Sequence, residues 1–329
     1  MILGAGGSST RMHLVRTMGK RPELGVLISL GIVWLVFVFL SGGKFAGLGN
    51  VAALLAQSAE LGIVTVGVAF TLICGEIDLS VGSVYGLSGL LFVVLAAKLG
   101  SVPAFVVALG IAGVAGLVNG LVTTRTMVPS LIVTLGMSMF LRGLIYFTTG
   151  GFTRTFAELD FLVNSLGGPL GGGFNISIIW FLLIVVVFTI ILRMTRYGNF
   201  VMAVGGNKEV ARAMGIEVDQ VKLITFVLCT GLAGLAGMIS ASRFHSIAAT
   251  TGTTTALEAI AAAVMGGCLV TGGYGTIPGA ALGAILIPAV GAGLVMSGAP
   301  AYWYQAFIGV VLVAAAVLNL VVHRRAIGQ

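Results

Sequence analysis

Long apolar stretches alternate with short polar segments along nearly the whole chain. A helix that crosses a membrane needs roughly 20 mostly apolar residues. Ten stretches approach that length, and each predicts a membrane-spanning helix: 24–41, 50–73, 80–98, 103–122, 129–148, 177–194, 219–241, 256–271, 277–297 and 303–322. Glycine-rich interruptions leave 50–73 and 256–297 open to a second interpretation, as broken or re-entrant segments. The pattern predicts an all-α, polytopic integral membrane protein of about ten transmembrane helices.

The composition excludes a water-soluble globular protein. The 329 residues are 58% hydrophobic and 8% charged, whereas soluble domains carry about 25% charged residues. The 50 glycines suit closely packed membrane helices, because small residues let the backbones approach each other. Cys74, Cys229 and Cys268 lie in or beside apolar stretches without metal-ligand spacing. Neither a disulfide framework nor a metal site is therefore expected.

The basic residues predict how the spans are oriented. With an even number of spans and a cytoplasmic N-terminus, twelve of the 17 basic residues fall inside and five outside, in agreement with the positive-inside rule. The inside set is Arg11, Arg16, Lys20, Arg21, Arg125, Arg193, Arg196, Lys208, Arg212, Lys222, Arg324 and Arg325. The outside set is Lys44, Lys98, Arg142, Arg154 and Arg243. This predicts a cytoplasmic tail at 1–23, one transmembrane domain at 24–322 and a cytoplasmic tail at 323–329. Because the charges are scattered at span ends, no nucleic-acid partner is expected.

Two connections between spans are long. The glycine-rich segment 149–176 is expected outside, and 195–218 is the one sizeable cytoplasmic loop. Within the latter, Asn207 is typical of a helix N-cap, Glu209 suits the first turn, and Gly215 suits the residue that ends a helix. The apolar positions between them form a short face: Val210, Ala211, Ala213 and Met214. The segment 207–215 is therefore predicted to be a short amphipathic helix.

Residues 75–82, Gly-Glu-Ile-Asp-Leu-Ser-Val-Gly, place two carboxylates between apolar stretches, at Glu76 and Asp78. Ionisable groups near hydrocarbon are costly and tend to face a pathway, a partner or water. One interpretation is that the flanking glycines break the backbone, so that the carboxylates and Ser80 satisfy freed amides or line a polar passage. The other is a cytoplasmic turn in which Asp78 or Ser80 caps the next helix.

Other polar residues stand inside or beside the predicted spans. Gln57 and Glu60 lie three apart on one helical face, either as a polar stripe along a pathway or in contact with water at the outer interface. Arg243 and Glu258 flank a threonine-rich external stretch, which could dock a soluble partner or be a solvated loop. Asn119 is an isolated polar residue of the fourth span.

Motifs for catalysis are absent from the sequence. It contains no G-x-x-x-x-G-K-[ST] phosphate loop, so the chain cannot hydrolyse ATP by that route. It also has no H-E-x-x-H, no G-x-S-x-G and no cysteine–histidine cluster, which argues against metal-dependent or serine-based catalysis. The chain is not expected to be an enzyme or to hold a cofactor.

Four motifs together resemble the permease subunits of bacterial ABC sugar importers of the ribose/xylose/arabinose/galactose class. Residues 75–82 resemble G-G-I-D-L-S-V-G, with Glu76 at the second glycine, and residues 129–136 resemble P-P-F-I-V-T-L-G, with Ser130 at the second proline. Residues 195–216 resemble the loop that docks on the ATPase. Residues 257–273 resemble L-D-A-I-A-A-V-V-I-G-G-x-x-x-x-G-G, with Glu258 at the aspartate. The similarity runs over nearly the whole length from about residue 24.

The resemblance implies a homodimeric permease in the bacterial plasma (inner) membrane, with both termini cytoplasmic. It would pass a monosaccharide, meaning a pentose, a hexose or a related polyol-like solute, into the cytoplasm by alternating access. A cytoplasmic ABC ATPase would bind the ATP and Mg, an external sugar-binding protein would deliver the sugar, and membrane lipid would surround the dimer. The motifs leave the sugar itself open.

The resemblance also implies that the short helix near 207–215 is a coupling helix that contacts the ATPase. The residues expected for coupling are Gly206, Asn207, Lys208, Glu209, Ala211, Arg212, Met214 and Gly215. The residues expected near the translocation pathway are Gln57, Glu76, Asp78, Ser80, Asn119 and Glu258. The alternative is an ion-coupled secondary transporter that uses Glu60, Glu76 and Asp78 as ion sites.

Overall fold

The structure is a computed structural model that describes residues 22–126 and 128–327, with side chains through residue 314 and at residue 317. Of the predicted tails, residues 1–21 and 328–329 lie outside these ranges, and residues 323–327 are described only as backbone, at the end of the last helix. The side chains of the basic residues that the sequence places in those tails are therefore not described: Arg11, Arg16, Lys20, Arg21, Arg324 and Arg325.

Within the described ranges the chain is almost entirely helical. In chain order the helices are α1 (Pro22–Leu40), α2 (Leu48–Ile73), α3 (Val81–Leu99), α4 (Ser101–Thr126), α5 (Ser130–Thr149), α6 (Phe161–Gly167), α7 (Ser177–Met194), α8 (Arg196–Gly206), α9 (Lys208–Ala213), α10 (Val218–Phe244), α11 (Thr255–Met265), α12 (Ile277–Met296) and α13 (Trp303–Ile327). A short 3₁₀ helix, Lys44–Ala46, joins α1 to α2.

The membrane-spanning pattern is largely confirmed. Eight helices in the described part of the chain are long and apolar enough to cross a membrane, namely α1 to α5, α7, α10 and α12. Helix α2 is continuous over 26 residues, so the broken alternative for 50–73 does not hold. Helix α13 covers the tenth predicted stretch, 303–322.

The predicted span at 256–271 is wrong as a continuous helix. Helix α11 has 11 residues, which makes it about 16 Å long at 1.5 Å per residue, about half of a hydrocarbon core of roughly 30 Å. Gly266 and Gly267 end the helix, and Gly267 has a φ of 91°, a left-handed conformation that glycine tolerates best. The following residues to Thr276 are irregular. The segment is therefore a half-helix with non-helical backbone on both sides, which agrees with the broken alternative that its glycines predict.

The cytoplasmic connection is more ordered than the sequence predicts. Helix α8 occupies residues 196–206, the part of the loop that precedes the predicted short helix. The hydroxyl of Thr195 caps it by accepting a hydrogen bond from the amide of Gly198 at 3.3 Å. The predicted amphipathic helix at 207–215 forms as α9, which is shorter at six residues.

The long connection at 149–176 also carries structure. Helix α6 lies within it, and the side chain of Asp160 caps that helix by accepting the amide of Val163 at 3.1 Å. Strand β1 (Arg154–Thr155) pairs antiparallel with β4 (Ser246–Ile247), which follows α10. Strands β2 (Pro169–Gly171) and β3 (Phe174–Asn175) form a small hairpin. The connection is thus fastened to the residues that precede α11.

The core is built around α2 and α10. Helix α10 packs against α2, α3 and α4, and α2 also packs against α7, α11 and α12. Glycines let these helices come close, since a Cβ added at Gly237 of α10 would overlap the carbonyl oxygen of Tyr85 in α3. Helices α1 and α5 bury few of their residues and leave apolar side chains on the outside of the bundle, as lipid contact requires.

Candidate functional site

A polar cleft of about 400 Å³ opens where α11 begins, between α2, α3 and α10. Its polar lining includes Gln57, Glu60, Tyr85, Ser240, Arg243, Thr251, Thr255 and Glu258. Two of the residues expected near the pathway, Gln57 and Glu258, therefore share one cavity. Glu60 and Arg243, which the sequence singled out separately, lie in the same place.

An ion pair anchors one wall of the cleft. The Nε of Arg243 in α10 pairs with Oε1 of Glu60 in α2, and the hydroxyl of Tyr85 in α3 donates to Oε2 of Glu60 at 3.1 Å. The guanidinium of Arg243 also lies 4.0 Å from the centroid of the Phe244 ring. Three helices are therefore joined at a buried carboxylate, whose charge is paired rather than left alone in the apolar bundle.

The opposite wall is the start of α11. The hydroxyl of Thr254 donates to Oε1 of Glu258 at 2.7 Å, which orients this half-buried carboxylate. Arg142 of α5 supports the preceding loop, because its Nη1 donates to the carbonyls of Ala249 at 3.2 Å and Thr251 at 2.9 Å. Irregular backbone at membrane depth is tolerated where it is buried in protein or lines a water-filled cavity. The loop before α11 lines a cavity in this sense, since Thr251 and Gly252 border the cleft.

Asp78, Ser80 and Asn119 form a separate cluster that is fully buried. One oxygen of Asp78 accepts the amide and the hydroxyl of Ser80, at 2.8 and 2.6 Å, and Nδ2 of Asn119 donates to the Ser80 hydroxyl at 2.9 Å. The Oδ1 of Asn119 has no hydrogen-bond partner among the described residues. Asp78 thus satisfies one backbone amide at the break between α2 and α3, that of Ser80, whereas the Ser80 side chain does not cap α3. None of the three residues lines the cleft.

Glu76 lies on the same break but points elsewhere. It pairs with Lys222 of α10. The sequence predicts Lys222 only as one of the cytoplasmic basic residues. Asp219, one turn before Lys222, pairs with Arg212 of α9 at 3.0 Å. Sequence reasoning missed both partners, because nothing in the local pattern says which acidic residue a basic one will meet.

The expected coupling segment has the caps that its sequence indicates. The side chain of Asn207 accepts the amides of Glu209 and Val210 at 3.0 and 3.1 Å. Gly215 has a φ of 81°, and the amide of Ile216 returns to the carbonyl of Ala211 at 3.0 Å, which completes a Schellman motif.

The side chains of α9 and of Met214, the residue that caps its C-terminus, divide into a buried group and an exposed group. Ala211 is buried against the rest of the chain, so it fixes the helix in place. Val210 and Met214 lie four residues apart and are 52% and 64% exposed. Lys208, Glu209 and Arg212 are exposed beside them. The free surface of α9 is therefore an apolar pair bordered by charges, a composition typical of a protein interface.

Glycines at the end of α8, directly before α9, pack against two irregular segments, the one after α2 and the one after α11. A Cβ added at Gly272 would lie 2.7 Å from the carbonyl oxygen of Gly205 and 2.8 Å from Cα of Gly75. The amide of Gly273 donates to the carbonyl of Ile73 at 2.8 Å. The end of α8, the break after α2 and the break after α11 thus meet in one backbone contact.

Tyr197 of α8 strengthens this junction. Its hydroxyl is 2.8 Å from that of Thr225 in α10, and its ring stacks on Phe70 of α2 at a centroid distance of 6.3 Å. Burial raises the pKa of the Tyr197 phenol, so the hydroxyl stays protonated and able to donate. Helix α8 is therefore held to both central helices.

A bundle of long apolar helices around a polar cleft is the architecture of a polytopic membrane permease. Residues 50–316 match the family described as branched-chain amino acid transport system / permease component, and the chain belongs to this family. It is 33% identical over 314 residues to the xylose/arabinose import permease protein XylH of Sulfolobus acidocaldarius, covering 93% of this chain and 86% of that one.

Two further relatives are of the same kind. The ribose import permease protein RbsC of Escherichia coli K12 is 33% identical over 299 residues, covering 89% of this chain and 91% of its own. The L-arabinose ABC transporter permease protein AraH of Azospirillum brasilense is 35% identical over 280 residues, covering 82% and 79%. No solved structure matches the chain. The resemblance to permease subunits of sugar ABC importers is confirmed, and the chain is a transport subunit rather than an enzyme.

Proposed function

We propose that this chain is the permease subunit of an ATP-driven importer that moves a monosaccharide into the cytoplasm by alternating access. The observation that supports this most strongly is the position of α11. Its first turn borders the polar cleft, and the break that follows it contacts the glycines directly before α9. A helix about 16 Å long thus connects a site for a polar solute to a surface for a cytoplasmic partner.

The same geometry and the relatives support a set of partners. The apolar pair Val210 and Met214 would insert into a groove of a cytoplasmic ABC ATPase, while Lys208, Glu209 and Arg212 contact its rim. ATP and Mg belong to that ATPase. An external sugar-binding protein would deliver the sugar, and a second copy of the chain would complete the pathway in the bacterial plasma membrane, with both termini cytoplasmic.

The cleft suits a neutral, hydroxyl-rich solute. Gln57, Thr255 and Glu258 offer donors and acceptors without a free positive charge, since Arg243 is paired with Glu60. The buried cluster of Asp78, Ser80 and Asn119 would join the pathway when the break after α2 moves, and the unpartnered Oδ1 of Asn119 could then accept a sugar hydroxyl. The three relatives named above import pentoses, and we place the substrate among pentoses, hexoses and related polyols.

The test is reconstitution of the permease in liposomes with a candidate ABC ATPase and a candidate sugar-binding protein. Radiolabelled sugar should accumulate only with ATP and all three components, and sugar-loaded binding protein should stimulate ATP hydrolysis. Arg212→Glu should leave the permease in the membrane but uncouple hydrolysis from uptake. Accumulation by the permease alone, driven by a proton or sodium gradient, would instead favour the ion-coupled alternative.

A further inference from the structure

The ion pair between Glu76 and Lys222 lies where the break after α2 meets the start of α10. Its side chains are 10% and 15% exposed, so the charges are mostly removed from water. A buried ion pair is weak evidence for stability, because the desolvation of two charges can exceed their attraction. Keeping such a pair therefore calls for a role other than holding the bundle together.

One face of α10 explains that role. Asp219, Lys222 and Thr225 are spaced three residues apart, so each is a surface neighbour of the next, rotated by about 60° around the helix. Asp219 pairs with Arg212 of α9, Lys222 pairs with Glu76, and Thr225 meets Tyr197 of α8. Two turns of α10 thus contact α9, the break and α8 in succession.

The break is also the segment that carries the buried carboxylate cluster. Asp78 is two residues beyond Glu76, and its position depends on short hydrogen bonds to Ser80. The backbone of the break is held in addition by α5, since the hydroxyl of Ser130 accepts the amide of Ile77 at 3.2 Å. The side chain of Glu76 joins this segment to Lys222 of α10, one turn after Asp219, which pairs with Arg212 of α9.

We propose that Glu76 and Lys222 are positioning residues of the transport cycle, which transmit movement of α9 through α10 to the break that carries Asp78. The inference rests on the proposed function, because it assumes that a partner moves α9. Neither residue needs to touch the sugar. Their loss should therefore lower the turnover of transport and leave the apparent affinity for sugar-loaded binding protein unchanged.

The experiment uses the full reconstituted importer and compares single and exchanged charges. Glu76→Gln and Lys222→Met should each lower maximal uptake about tenfold, within the range that contacting residues show in double-mutant cycles, and should make ATP hydrolysis insensitive to sugar. The exchange variant Glu76→Lys/Lys222→Glu should recover most of both activities. Glu23→Gln is the control, because it removes an exposed ion pair with Arg193 and should change neither.

A second variant separates coupling from folding. Glu76→Leu/Lys222→Met replaces the pair by apolar side chains, which buried sites often accept without loss of stability. It should reach the membrane in normal amount and still be poorly coupled. Normal coupling in this variant, or an exchange variant no better than the single ones at equal protein level, would overturn the proposal.

The outcomes are distinct from a failure of the proposed function. If Arg212→Glu uncouples the importer while Glu76→Gln behaves as wild type, the importer stands and the role of the pair is wrong. If the unmodified complex shows no ATP-dependent uptake, the importer assignment itself fails.

Discussion

Two adjacent glycines at the end of α8 should respond in opposite ways to the same substitution. A Cβ at Gly205 would overlap the carbonyl oxygen of Ile73 and lie 2.6 Å from the backbone nitrogen of Gly273. Those atoms are backbone and cannot rotate away. A Cβ at Gly206 would meet Cα of Gly273 at 4.0 Å, which is ordinary contact.

The difference can be put on an energy scale. Overpacking costs about 1–3 kcal/mol, and Gly205→Ala also disrupts the 2.8 Å hydrogen bond from Gly273 to Ile73, worth about 1 kcal/mol. Gly205→Ala should therefore destabilise the junction by about 2–4 kcal/mol. Gly206→Ala should be neutral or slightly stabilising, because alanine is the better helix former by up to about 1 kcal/mol.

The assay is thermal unfolding of each purified variant in detergent, followed by sugar uptake in the reconstituted importer. Gly205→Ala should unfold at a lower temperature and transport poorly. Gly206→Ala should match the unmodified protein in both measurements. Equal midpoints and equal uptake for the two variants would refute the close packing of α8 against the breaks.

Three further substitutions test the cleft and the coupling segment. Arg142→Ala removes the donor of the hydrogen bonds to Ala249 and Thr251, each worth about 1.5–3 kcal/mol for a charged donor, so hydrogen exchange in the loop before α11 should accelerate. Glu258→Gln keeps the shape and an oxygen for Thr254 but removes the charge, so sugar uptake should fall several-fold while co-purification with the ATPase is unchanged. Gly215→Ala meets no neighbour, so its cost is the left-handed φ alone, about 1–2 kcal/mol, and it should weaken coupling without lowering the amount of permease in the membrane.

The fold was predictable where apolar length alone decides the structure. Eight spans follow from uninterrupted apolar runs. The continuous span predicted at 256–271 was wrong because its alanine- and valine-rich run has the hydropathy of a span. The alternative of a broken segment, which rested on the glycines, is the one that holds, since Gly266 and Gly267 end α11 after 11 residues. Helix α8 was missed because its sequence mixes polar residues and glycines, and its stability comes from packing against α2 and α10.

The candidate site was predictable only where the signal is local. Asn207 and Gly215 were identified correctly as caps because capping depends on a few consecutive residues. Gln57 and Glu258 line the same cavity, and Glu76 pairs with Lys222, because of how distant helices pack. Hydropathy and spacing carry no information on such pairs, so they became visible only in three dimensions.

The central claim is that ATP-driven movement enters this chain at α9. Cys74, Cys229 and Cys268 are buried, so a maleimide added to a Met214→Cys variant should react at the exposed position 214. Phe152→Cys is the matched control, because Phe152 is also exposed, at 73% against 64% for Met214, and lies in the other long connection. Labelling at 214 should abolish sugar-stimulated ATP hydrolysis and uptake, whereas labelling at 152 should leave coupling intact. Full coupling with a bulky label at 214 would contradict the account.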